Sequence, residues 1–180
     1  MAFHMFHEFF PELAITETRS ITLVDTDYGL PAGEYAFFET YCSDELCDCR
    51  RVIFQVMKKG RNEPIATIAW GWEPKEFYGR RIGVYDSAEL EEFKGPTLNP
   101  LSPQSELAQG ALTLCREVLL LDADYVERIK EHYRMFKRRI DSGKRPRAPS
   151  FINLEAERKR RQKAKEKRKA QKLARRKNRR

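Results

Sequence analysis

Between Arg158 and Arg180 the chain sets 15 Lys and Arg against one acidic residue, Glu166. After Leu154 polar side chains surround any helix drawn through this stretch, so it has no face to bury in an ordinary core. The folded part of the protein must therefore be built by the residues that precede it. Residues 150–180 contain neither Gly nor Pro. A single helix capped by Ser150 would run on the order of 40 Å at ~1.5 Å per residue. Lys144-Arg-Pro-Arg-Ala-Pro149 reads as a stiff linker, because each Pro removes a donor and disfavours helix at the residue before it.

The tail also changes the meaning of the charge balance. The whole chain of 180 residues carries a formal +8. Residues 1–143 hold 17 basic against 24 acidic side chains, a net of −7, whereas residues 144–180 hold 18 against 3, a net of +15. The expected organisation is an acidic body (1–143), a Pro-containing linker (144–150) and a basic tail (151–180). Apolar residues at 41%, with 11 Phe and 7 Tyr, suffice for a real core in the body.

Mean hydropathy is −0.70, and no apolar run exceeds four residues, as in Val118–Leu121, which argues against a membrane span and for a cytoplasmic protein. The opening Met1–Phe10 lacks a basic segment and meets Pro11 early, which reads against a secretory signal. The four cysteines are then expected to be reduced thiols or metal ligands.

Within the body, Ile21–Val24 reads as a short strand ahead of a turn at Asp25–Pro31. Glu34–Cys42, Arg51–Lys58 and Ile65–Trp72 alternate apolar residues at period two, with Lys59–Pro64 as a hairpin loop. Short helices are expected at Lys75–Arg81 and Asp86–Phe93. A longer one, capped by Ser102 with Pro103 in its first turn, would present Leu107, Ala111, Leu114, Cys115, Val118 and Leu119. A second begins at Asp122 or Asp124 and carries Val126, Ile129, Tyr133, Phe136 and Ile140 on one face, with Gly143 beyond its end. The fold class is α+β: a small antiparallel sheet packed against a C-terminal helical hairpin, followed by a basic helical or disordered tail.

The chemical signal in the body is Cys42, Cys47 and Cys49, a C-x4-C-x-C segment between two strands. A loop of this length can fold Cys42 back towards Cys47, and an i, i+2 pair in extended chain points the same way. Three converging thiolates suit Zn2+, which takes four S or N ligands in structural sites. Arg50 and Arg51 would offset part of the thiolate charge. His132, at the edge of the buried face of its helix, is the first choice for a fourth ligand. Cys115 lies among Leu112, Leu114, Val118 and Leu119 and reads as core, and His4-x-x-His7 is a third option. The plainer alternative is three reduced thiols in a tight β connection.

The segments Tyr41-Cys42 to Cys47-Asp48-Cys49-Arg50-Arg51-Val52, Trp70-Gly71-Trp72-Glu73, Phe77-Tyr78, Gly95-Pro96, Leu98-Asn99-Pro100, Gln104-Ser105-Glu106-Leu107, Asp124-Tyr125-Val126, His132-Tyr133 and Phe136-Lys137 resemble a family of uncharacterised bacterial proteins. The likeness spans residues 35–140. Some members of that family end in a SEC-C-type zinc motif, C-x-C-x8-C-[HC], which this chain lacks. The resemblance implies an accessory or binding role and no reaction.

The tail residues expected to meet nucleic acid are Arg158, Lys159, Arg160, Arg161, Lys163, Lys165, Lys167, Arg168, Lys169, Lys172, Arg175, Arg176, Lys177, Arg179 and Arg180. Their density can neutralise phosphates and release counterions. With no aromatic residue after Phe151, base stacking is not expected from the tail. RNA or the ribosome is the leading partner, ahead of DNA. The competing reading is a protein-interaction module whose tail is a solubilising or self-associating arm. Asp25-x-Asp27 reads as a turn, Trp70 and Trp72 share a strand face, and no Ser/His/Asp or Cys/His catalytic arrangement is visible. The sequence thus points to a non-enzymatic accessory protein.

Overall fold

The computed structural model describes residues 3–143. The expectations for the linker and the tail lie outside the described residues. In chain order the elements are β1 (Phe3–Met5), α1 (Phe6–Phe9), α2 (Pro11–Glu17), β2 (Arg19–Leu23), β3 (Gly33–Cys42), β4 (Arg51–Lys58), β5 (Ala66–Gly71), α3 (Lys75–Ile82), α4 (Ser87–Lys94), β6 (Thr97–Leu98), α5 (Ala108–Leu114) and α6 (Ala123–Asp141). A π-helical turn, Cys115–Leu119, continues α5.

The fold is α+β. β3, β4 and β5 form the antiparallel meander expected from their alternation, and β6 extends it beyond β5. β1 and β2 share the other edge of β3: Phe3–Met5 pair with Thr40–Cys42, and Arg19–Leu23 with Gly33–Phe37. Register sets Phe37, Val56 and Ala66 in one row and Glu39, Phe54 and Ile68 in the next. That face is the core face, where alternate residues of β3 and β4 are buried. Phe37 meets Phe54 edge-on at 6.1 Å between ring centroids.

Two helical layers cover the core face. α5 lies against β5 and β6, and α6 against β3 and α1. α6 starts at Asp122, whose Oδ1 accepts the Tyr125 N–H at 3.0 Å, and Gly143 ends it in the left-handed conformation at φ +68°. Its stripe of Ile129, Tyr133 and Phe136 is buried as the spacing predicts. α3 and α4 pack at the β5 end of the sheet, α4 capped by Asp86 Oδ1 on the N–H groups of Ala88 and Glu89.

One local expectation is corrected, and one stretch without a clear pattern gains structure. Ser102 and Pro103 do not open a helix, because residues 99–107 are used to extend the edge of β5. Gln104 Oε1 accepts the Thr67 N–H and its Nε2 donates to the Thr67 carbonyl, copying a strand partner, while Ser105 donates from both N–H and Oγ to the Ile65 carbonyl. The helix therefore starts only at Ala108. Secondly, the N-terminal thirty residues contain β1, α1 and α2, which no clear period announced. Phe6 and Phe9 dock this segment against His132 and Phe136. Asp27 accepts the Tyr28 N–H through Oδ1, and Tyr28 (φ +52°) and Gly29 (φ +74°) make a tight turn, as the turn reading of Asp25-x-Asp27 holds.

No helix among the described residues is long and apolar enough to cross a membrane. Gly110 shows how closely α5 is drawn in: a methyl group there would sit 2.6 Å from the backbone oxygen of Tyr28. Replacing a mid-helix Gly by Ala ordinarily stabilises a helix by about 1 kcal/mol. Here the sign should invert, so Gly110→Ala is expected to lower stability by about 1–3 kcal/mol in urea unfolding, as overpacking does.

Candidate metal centre

The loop from Ser43 to Arg50 joins β3 to β4 and carries the cysteines. Cys42 is the last residue of β3 and is fully buried, while Cys47 and Cys49 are half-buried. Asp44 closes the loop on itself, its Oδ1 accepting the Leu46 N–H at 3.0 Å and its carbonyl the Cys47 N–H at 3.1 Å. Lys137 of α6 donates from Nζ to the same carbonyl at 2.6 Å. These contacts turn the chain so that Cys47 returns over Cys42.

The far end of the loop is held by Arg50, which adopts φ +47°, an unusual conformation for a side chain with a Cβ. Its carbonyl accepts the Tyr78 hydroxyl at 2.9 Å, and its N–H points to the Tyr133 hydroxyl at 3.4 Å. Its guanidinium bridges Asp48 and Glu73 and lies over the Phe77 ring at 4.9 Å. Tyr133 in turn donates to Asp48 Oδ1 at 3.0 Å. Gly71 is required beside this clamp, since a Cβ there would collide with the Tyr78 hydroxyl.

With both ends fixed, the Sγ atoms of Cys42, Cys47 and Cys49 lie within 4.8 Å of one another. A tetrahedral centre with Zn–S of ~2.3 Å would need sulfurs ~3.8 Å apart, a small contraction from this arrangement. The three cysteines are free thiols and could hold a metal ion. Burial, with repulsion from Cys47 and Cys42, pushes the Cys49 thiol up to about 12. Burial also raises Cys42, against a hydrogen bond from the Asp44 backbone and the charge of Lys137. A cation removes the repulsion that keeps these thiols protonated, so metal uptake and proton release are coupled.

The cationic surroundings differ from the sequence expectation. Arg50 is committed to Asp48 and Glu73. Arg51, whose guanidinium lies over the Phe93 ring at 3.9 Å, is the arginine that acts on Cys49, and Lys137 acts on Cys42. Burial pulls the Arg51 guanidinium below its ordinary range while the Cys49 charge opposes that shift. Tyr133 and Lys137, four residues apart on α6, form the side of the centre that sequence reasoning missed.

His132 is not part of this centre. Its Nδ1 meets Glu39 Oε2 at 2.7 Å and its Nε2 meets Glu17 Oε2 at 3.0 Å, so no ring nitrogen is left to ligate a metal. One residue of rotation along α6 separates it from Tyr133 and turns it to the other side of Tyr41. Phe6 stacks on its ring at 4.1 Å. Glu39, on the core face of β3, also accepts the hydroxyls of Tyr41 at 2.6 Å and Tyr125 at 3.2 Å. Cys115 is buried in the main core, as expected.

No family model, no curated protein and no solved structure matches this chain. Fold and site define its class by themselves: an α+β protein with three cysteines gathered at one end of its sheet, in a position to hold a metal ion.

The His132 contacts give a pH signature. Burial would lower its pKa, but the hydrogen bonds and charges of Glu39 and Glu17 outweigh it and leave it above 6.5. A raised value means the folded state binds the proton more tightly, so this contribution is complete below 6.5 and lost as pH rises through the higher folded value. His7, lowered by burial, acts in the opposite window, below 6.5. Unfolding free energy is therefore expected to fall as pH rises above 6.5, and His132→Gln should flatten that slope and cost about 3 kcal/mol at neutral pH. Denaturant titrations at several pH values check both.

Proposed function

We propose that the protein is a non-enzymatic accessory protein whose zinc-stapled body is carried to RNA or the ribosome by its basic tail. The observation that carries this reading is the separation of charge: −7 in residues 1–143 and +15 in residues 144–180. The arrangement of the body supports it. Among the described residues, nine basic side chains of the body are in ion pairs with acidic neighbours, among them Arg61 with Glu106, Lys59 with Glu34, and Arg134 and Arg138 with Glu131. This reading assigns polyanion contact to Arg158–Arg180, where 15 basic side chains face one acid.

Zinc is the metal of choice because thiolate ligands favour it among common divalent ions. Its role would be to fix the β3–β4 connection, where Arg50 is otherwise held in a strained conformation. The family resemblance, with its own zinc motif in some members, agrees with an accessory role.

Contact with ~8 phosphates of a duplex should give a slope of about −7 in log affinity against log salt. Filter binding with the full-length chain, compared with a chain whose 15 Lys and Arg at 158–180 are replaced by Gln, is expected to show loss of both affinity and slope in the variant. Equal RNA binding by the two would reject the assignment. For the staple, a chelator is expected to lower the melting temperature of the wild type and to leave Cys47→Ser, already destabilised, unchanged.

A further inference from the structure

We infer that the metal centre is completed by an exogenous thiolate: Cys42, Cys47 and Cys49 hold the ion, and its fourth position takes the sulfur of a small thiol. This rests on the metal reading proposed above and goes beyond it by naming the missing ligand.

The chain has four Cys and three His, and all seven lie among the described residues. His132 is held at both ring nitrogens by Glu39 and Glu17, and His4 is paired with Glu8 at 3.0 Å with its ring edge-on to Phe9. His7 is buried against Phe38, and Cys115 is buried in the core. Among the described carboxylates none joins the three sulfurs within 4.8 Å. Asp48, the nearest in sequence, is tied to Arg50 and Tyr133. A fourth sulfur or imidazole ligand can then come only from outside this chain.

Charge decides which kind of ligand. A divalent ion on three thiolates has a net charge of −1, and a fourth thiolate makes it −2. Two cations stand at the loop, Arg51 two residues after Cys49 and Lys137, whose Nζ reaches the carbonyl of Asp44, two residues after Cys42, at 2.6 Å, which matches the four-thiolate state. The Arg51 guanidinium lies over the Phe93 ring at 3.9 Å, and among the described residues its buried Nε has no hydrogen-bond partner. Water on an already anionic centre is weakly polarised, and a soft donor displaces it. Access is open, since Cys47 and Cys49 are half-buried and Leu46 between Cys42 and Cys47 is 94% exposed. Binding exchanges one water for one thiolate and releases the thiol proton to solvent.

The test loads the full-length protein with Co2+ under anaerobic conditions and titrates it with 2-mercaptoethanol, using acetate as the hard-ligand control. The expected result is a saturable change in the visible ligand-field bands at one thiol per cobalt, with no such change from acetate. A loaded centre blind to thiol, an acetate response equal to the thiol response, or extraction of cobalt by the thiol would overturn the inference while leaving the metal site standing. Failure to take up cobalt at all would overturn the inference and the metal reading together.

Discussion

A carboxylate on the buried face of the central strand is the constraint on which the packing of this body depends. Glu39 faces inward between Tyr41 and Phe37, where an unpaired carboxylate would be too costly to keep. It is satisfied by Tyr41 from its own strand and by Tyr125 and His132 from α6, and His132 reaches on to Glu17 at the end of α2. One polar group therefore fixes the height and rotation of α6 over β3 and anchors the N-terminal segment. Arg19 adds to this, pairing with Asp122, the cap of α6, at 2.9 Å.

The cysteine centre inherits its geometry from that placement. Once His132 is turned towards Glu39, Tyr133 and Lys137 must face the β3–β4 loop, where they grip Asp48 and the Asp44 carbonyl. The loop is held from the other side by Tyr78, whose hydroxyl is admitted by Gly71. Three thiols are thus brought together by contacts from α3 and α6 and not by the loop alone. Gathering three thiolates without a cation is unfavourable, which is why burial and mutual repulsion raise the pKa values of Cys42 and Cys49.

Much of this was legible in the sequence, for identifiable reasons. Period-two alternation in Arg51–Lys58 and the 3,4 spacing of Ile129, Tyr133 and Phe136 are strong local signals, and both elements form where they point. C-x4-C-x-C named the three residues that converge. The failures arise where distant partners overrule local pattern. Ser102 looks like a cap, but Gln104 and Ser105 find better acceptors on β5. His132 looks like a ligand at the edge of a buried stripe, but its partners, Glu39 and Glu17, are 93 and 115 residues away in sequence. A contact 23 residues away hid the choice of Arg51 over Arg50, which depends on Glu73 taking up Arg50.

A buried polar latch sets α6, and α6 in turn shapes the cluster of three thiols. Cys42, Cys47 and Cys49 could hold a metal ion, and zinc is the ion we propose. Elemental analysis of the full-length protein, purified without chelators or affinity metals, tests it most directly. About one zinc per chain in the wild type and its loss in Cys47→Ser is the predicted result. Less than about a tenth of an equivalent in the wild type would contradict it.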